Sequence, residues 1–124
     1  MLTRAAPSSE GGALIGADAI RGHIDLIVLS ILEARPSYAY EISKTIADRS
    51  GGDYVIKQTT LYTAVKRLES QQLLDSYEDV STSGKPRTYY RITAEGREQL
   101  AAKRLEWART RQLVDHFAEG QHQL

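Results

Sequence analysis

Apolar residues recur with helical spacing over most of the chain and alternate over one short stretch near its middle, so the pattern predicts helices interrupted by a hairpin. From His23 to Ala34 the apolar set is Ile24, Leu26, Ile27, Val28, Leu29, Ile31 and Leu32. That set is too wide for a surface stripe and predicts a largely buried helix. Pro36 disfavours helical geometry at Arg35 and ends it. Ser37 is then the expected N-cap of a second helix, Tyr38 to Arg49, with Glu41 near its positive end. Tyr38, Ile42 and Ile46 share one face of that helix with Ala39 beside them, and Lys44, Asp48 and Arg49 face water. Ser50-Gly51-Gly52-Asp53 is a turn, and Tyr54-Val55-Ile56 leads into a third helix. The chain is organised around that helix, in the stretch Gln58 to Leu74, with Thr59 or Thr60 as its expected cap. Leu61, Val65 and Leu68, with Ala64, give it an apolar back.

After Leu74 the period changes. Asp75 to Val80 predicts a strand, Ser81 to Pro86 a small-residue turn, and Arg87 to Ile92 a second strand. In the second strand Thr88, Tyr90 and Ile92 share one face, and Arg87, Tyr89 and Arg91 the other. Thr93 caps a last helix, about Ala94 to Phe117, with Glu95 in its first turn. Leu100, Trp107 and Val114 recur there at heptad spacing, with Leu105, Ala108 and Phe117 nearby, so a dimer seam is expected beside the plainer reading of packing on its own domain. The expected fold class is α+β, mainly α: a winged helix-turn-helix of three helices plus a β-hairpin wing, followed by a C-terminal dimerisation helix. The expected division is a mobile arm over 1–20, a winged helix DNA-binding domain over 21–93, and the dimerisation helix with its tail over 94–124.

Charge changes this picture through its placement. The 124 residues hold 16 basic and 16 acidic side chains, so the total does not announce a nucleic-acid partner. Lys57, Lys66 and Arg67 nevertheless lie in a stretch without an acid, as do Lys85, Arg87 and Arg91. Two local patches of this kind can hold phosphates on a neutral protein. Cysteine is absent, which excludes disulfides, thiolate catalysis and cysteine metal sites. No apolar run is long enough to span a bilayer, and the N-terminus lacks a signal-peptide pattern, so a cytoplasmic protein is expected.

The front of the third helix carries Thr60, Tyr62, Thr63, Lys66, Arg67 and Gln71, which are hydrogen-bonding and cationic groups suited to a DNA major groove. Taken alone, it also reads as an ordinary amphipathic surface helix. The basic wing that follows favours DNA. Tyr62, Lys66, Thr60 and Thr63, with Thr59 beside them, are the candidate groove residues, and Lys57, Arg67, Lys85 and Arg87 the candidate phosphate ligands. An enzyme is the rival class, yet His116 and His122 are not spaced as a helical zinc pair, Gly11-Gly12 is no phosphate loop, and no nucleophile elbow occurs. No metal or cofactor is expected. A winged-helix protein-interaction module without specific DNA binding is the alternative.

Several blocks in this order resemble the PadR family of bacterial transcriptional regulators: Arg21-Gly22 leading into Asp25-Leu26-Ile27-Val28-Leu29, then Tyr40-Glu41-Ile42, Thr60-Leu61-Tyr62, Arg67-Leu68-Glu69 with Leu73-Leu74, and Gly84 to Thr93 followed by Glu95-Gly96. The resemblance covers roughly residues 21–117. It implies a homodimeric repressor with a winged helix domain and a C-terminal dimerisation helix. It implies that the helix of Thr60 and Tyr62 is the recognition helix and that the turn of Lys85 and Arg87 lies against the backbone or minor groove. It places Trp107 at the dimer interface, where some members admit a planar aromatic effector; with the heptad spacing, Leu100, Trp107, Val114 and Phe117 are the candidate dimer or ligand interface. The single C-terminal helix resembles the short subfamily. Thr59 and Thr63 stand where the family usually has glycine and proline, and Gln72 stands where it usually has glycine.

Overall fold

The computed structural model describes residues 14–120. Its centre is α2 (Ile24–Ala34), preceded by a short α1 (Ala17–Ile20) and a 3-10 turn (Arg21–His23). Val28, Leu29 and Leu32 of α2 are fully buried, as the width of its apolar set predicts. Of the proposed arm, residues 1–13 lie outside the described residues. Within the rest, the Ile15 amide donates to the Asp53 carbonyl (2.9 Å), and Ile20 packs on the core.

Two local expectations are corrected around Pro36. Arg35 is extended, as a residue before proline should be, and the chain stays extended through β1 (Ser37–Tyr38). That strand pairs antiparallel with β3 (Pro86–Ile92), Ser37 opposite Tyr90 and Tyr38 opposite Tyr89. Ser37 is therefore buried in a sheet and caps nothing. The next helix, α3 (Ala39–Arg49), has Tyr38 at its N-cap with no side-chain bond, so Tyr38 is not on its apolar face. Ile42 and Ile46 are buried as expected.

The third correction concerns α4 (Gln58–Ser70). Neither Thr59 nor Thr60 caps it. Lys57 does, without a side-chain bond, because the buried Ile56 anchors the extended lead-in and the helix can begin as soon as Lys57 leaves it. Leu61, Ala64, Val65 and Leu68 face inward as the pattern requires. At the far end the Gln72 amide donates to the Glu69 carbonyl and the Leu73 amide to the Leu68 carbonyl (both 2.9 Å), a Schellman ending. Such an ending needs a left-handed residue, and Gln72 supplies it at φ 66°, the one non-glycine with positive φ among the described residues. A side chain there is strained, so Gln72→Gly should raise stability by about 1 kcal/mol. A urea melt checks this; an unchanged or lowered midpoint would contradict it.

β2 (Leu74–Val80) and β3 form the wing, Val80 opposite Pro86, and β1 joins as a third strand in the order β1-β3-β2. The period-two reading of β3 holds: Tyr90 and Ile92 are buried. α5 (Ala94–Ala118) starts at the expected cap, where the Gly96 amide donates to the Thr93 hydroxyl (2.9 Å) while that hydroxyl donates to the Gln72 carbonyl (2.8 Å). Leu100 is buried in the domain's own core, and Arg104 clamps Glu33 of α2 at 2.8 and 3.3 Å. The hydrogen bond from Arg104 holds the exposed Glu33 carboxyl below the usual carboxylate range, so this tie is present at neutral pH and is lost as acid protonates Glu33. No helix among the described residues is long and apolar enough to cross a membrane.

Candidate nucleic-acid interface

Because α4 buries one face completely, its other face is fixed outward. Thr59, Tyr62, Thr63, Lys66 and Arg67 are exposed and Thr60 is half-buried. No acid lies in the first turn of α4 and no side chain caps its N-terminus, so the amides of the first turn after Lys57 have no partner from a cap. An anion is favoured there by the helix dipole and by the lysine together. The Lys66 ammonium lies 5.6 Å from the centre of the Tyr62 ring and 3.5 Å from Glu69. Tyr62 and then Glu69 raise its pKa above the usual lysine range, so it carries its charge at neutral pH. Arg67 differs from the expected free phosphate ligand. Its guanidinium is bonded to Asp25 of α2, so it braces α4 against α2 and only part of it remains open.

The wing folds back beside this face. Its turn is closed by bonds from the Ser81 amide to the Lys85 carbonyl (2.9 Å) and from the Gly84 amide to the Ser81 carbonyl (2.8 Å), with Gly84 at φ 87°. That closure holds Lys85 exposed at the tip. Arg87 is placed otherwise. Its guanidinium lies over the Tyr38 ring at 5.0 Å, and its Nε is buried without a partner. Tyr38 meets Tyr89 edge-on, Tyr89 stacks on Tyr77, and Arg91 covers Tyr77 at 4.9 Å. Arg91 also bonds Asp75 at 3.0 Å, so its charge is already matched. This stack stiffens the outer face of the sheet; burial raises the Tyr89 pKa, and Glu41 raises it further.

Between the wing and the α4 front lies an open groove of about 360 Å³, walled by Tyr40, Gln58, Tyr62, Arg87 and Thr88 among others. Tyr62 walls this groove, whereas Thr59, Thr60, Thr63 and Arg67 line a separate recess beside Arg21 and Ile24, and Lys57 with Thr60 borders a third. Lys66 is exposed on α4, Lys85 stands at the wing tip, and Arg67 and Arg87 are partly engaged within the domain. Tyr40 and Gln58 also wall this groove, although neither was a candidate from the sequence. Tyr40 is exposed on the first turn of α3, and the Gln58 amide donates to the Ser43 hydroxyl at 3.0 Å. The signal for Tyr40 was its helical phase, about 160° from Ile42, which leaves a large aromatic outside.

The expected seam on α5 is divided. Leu100 is already covered by its own domain, so it is not free for a partner. Trp107 is half-covered, its ring 4.8 Å from that of His23, over a recess of only about 110 Å³ beside Leu26 and Lys103. Ligand pockets usually need about 300 Å³ or more, so one copy does not enclose a planar effector at Trp107. Leu113, Val114 and Phe117 are 60, 56 and 73% exposed. His122 and the tail from 121 to 124 lie outside the described residues.

The model of the transcriptional regulator PadR-like family matches residues 28–102. An "Uncharacterized protein X" of Lysinibacillus sphaericus is 41% identical over 108 residues, covering 86% of this chain and 98% of that protein. Among solved structures, a transcriptional regulator of Clostridium thermocellum is 46% identical, with TM-score 0.76, covering 83% of this chain and 97% of its own. A PadR family transcription regulator of Clostridium difficile is 38% identical, with TM-score 0.69, covering 78 and 99%. A PadR family transcriptional regulator of Eggerthella lenta, also 38% identical, has TM-score 0.73 and covers 84 and 88%.

Proposed function

Because this chain belongs to the PadR-like family of transcriptional regulators, we propose that it acts as a homodimeric repressor on a pseudo-palindromic operator. The α4 front enters the major groove, with Tyr62, Thr63, Thr60 and Lys66 toward the bases and Thr59 at the margin. Lys57 and the first amides of α4 hold one phosphate, and Lys85 at the wing tip holds another. Arg87 and Arg67 contribute from partly engaged positions: each sets the angle of an element and offers its remaining donors to the backbone. The observation that carries this reading is the acid-free, outward face at the start of α4, with Gln58 and Tyr62 of that helix facing Arg87 and Thr88 of the wing across an open groove. Two such faces related by a dimer axis would be spaced by one helical turn, roughly 34 Å. An aromatic effector, if one acts, would need walls from both copies around Trp107, since one copy offers too little room.

The test is selection from random and genomic DNA fragments at near-physiological salt, followed by sequencing of what is retained. Recovery of a pseudo-palindrome supports the reading. Retention of nothing, or of all fragments equally, sinks it and favours a winged domain that serves a protein partner. On the recovered operator, Lys85→Ala should weaken binding at every sequence alike. It should also reduce the slope of log affinity against log salt by about 1. A Lys85→Ala protein with an unchanged slope would remove the wing tip from the interface.

A further inference from the structure

A second recess lies between α2, α3 and the segment that leads into α4, and none of its walls belongs to α4, the wing or α5. Its volume is about 340 Å³, three times that of the recess at Trp107. Ile20, Leu26, Ile27, Ile31, Ile46 and Tyr54 form an apolar lining. Ser30 and Thr45 add hydroxyls, and no carboxylate lines it. The single charged group on it is Arg49, at the last turn of α3. Several other cations of the domain are matched, Lys44 by Asp48, Arg67 by Asp25, Arg91 by Asp75 and Arg104 by Glu33, whereas Lys57 and Lys85 stand on the α4 and wing surface away from this recess. Arg49 has no hydrogen bond or ion pair among the described residues. Its full positive charge outweighs the negative end of α3, which is worth about half a charge.

An apolar cleft of this size with one unmatched guanidinium is complementary to a molecule with an apolar body and one acid group. We propose that this cleft binds a small amphipathic carboxylate, its chain or ring against Ile27, Ile31, Ile46 and Tyr54 and its carboxylate on Arg49. A neutral apolar molecule would leave Arg49 unanswered, and a cation would be repelled. Tyr54 lies three residues before Lys57, so the occupied cleft adjoins the start of α4; any bearing on DNA rests on the operator reading above.

The test needs no DNA, so its result stands apart from that reading. Octanoate and octanol are titrated into the full chain while amide NMR spectra are recorded. Octanoate should shift the amides of Thr45, Arg49 and Tyr54 at submillimolar concentration, and octanol should bind about tenfold more weakly. Arg49→Gln should remove that preference and leave octanol unchanged. Thr45→Phe, which fills the cleft, should abolish both, with its amide spectrum serving as the check on folding. Should Thr45→Phe fail to fold, the exposed Arg49→Gln variant still decides. Shifts confined to His23 and Trp107, equal affinity for octanoate and octanol, or no binding would each overturn the proposal.

Discussion

Replacing both Val114 and Phe117 with glutamate is expected to leave a folded monomer whose operator affinity is lower by about 100-fold or more. Heptad spacing lines Val114 up with Leu100 and Trp107, but the cover along that line runs out. Leu100 is 1% exposed, Trp107 38%, Val114 56% and Phe117 73%. The domain covers the start of α5 and then stops, while the helix continues to Ala118. An amphipathic half-helix without a partner is marginal in water. Burying Leu113, Val114 and Phe117 against a second copy contributes about 1.5–3 kcal/mol for each side chain. In a two-fold interface each residue meets its own copy or a near neighbour, so a glutamate introduces like charges on both sides at once. The domain core does not include these positions, and its helix content and melting should survive. Sedimentation velocity reads the assembly, and fluorescence anisotropy on the operator reads the affinity. On the dimeric operator reading proposed above, the loss follows because the second α4 would no longer bind as part of the same molecule. A double variant that remains dimeric would move the seam elsewhere on the chain.

The division of α5 shows what the sequence could and could not reveal. Heptad spacing correctly put Leu100, Trp107 and Val114 on one line, since spacing reports angle around an axis. It could not report how far along that axis the domain reaches, which depends on α2 and the Glu33–Arg104 clamp. The same limit explains Ser37. Serine after Pro36 fits a cap by local chemistry, yet pairing with Tyr90, more than fifty residues away, draws it into the sheet. Tyr38 follows it and becomes the platform for Arg87. Arg67 is another such case: its place in an acid-free stretch suggested a phosphate, whereas Asp25 arrives from another helix. Patterns that need only one element were legible: the buried faces of α2, α3 and α4, the alternation in β3, and Thr93 as a cap. Where a residue's partner comes from a distant element, its type was legible and its engagement was not.

Gly96→Ala is expected to destabilise the fold by about 2 kcal/mol, lowering the melting midpoint by about 10 °C. Alanine is the better helix former, worth about 1 kcal/mol at an ordinary helical site, so propensity alone predicts the opposite sign. Space decides. A Cβ on Gly96 would fall 2.1 Å from the Leu73 carbonyl oxygen and 2.7 Å from Cγ1 of Ile92. Ile92 could adjust its side chain, but the Leu73 carbonyl is backbone and already accepts the Thr93 amide at 3.1 Å. Relief therefore requires the start of α5 to lift from the junction of α4 and β2. Lifting it weakens the bond from the Gly96 amide to Thr93, a cap worth about 1 kcal/mol, and loosens Leu100 in the core. Overpacking of this kind costs about 1–3 kcal/mol, and with the cap it outweighs the gain in propensity. Thermal and urea melts at matched protein concentration, with Glu98→Ala on the exposed side of the same turn as control, give the comparison. Equal midpoints for Gly96→Ala and the natural chain would mean that α5 does not rest on Leu73. A drop confined to Gly96→Ala would locate the junction through which the C-terminal helix is held in register with the wing.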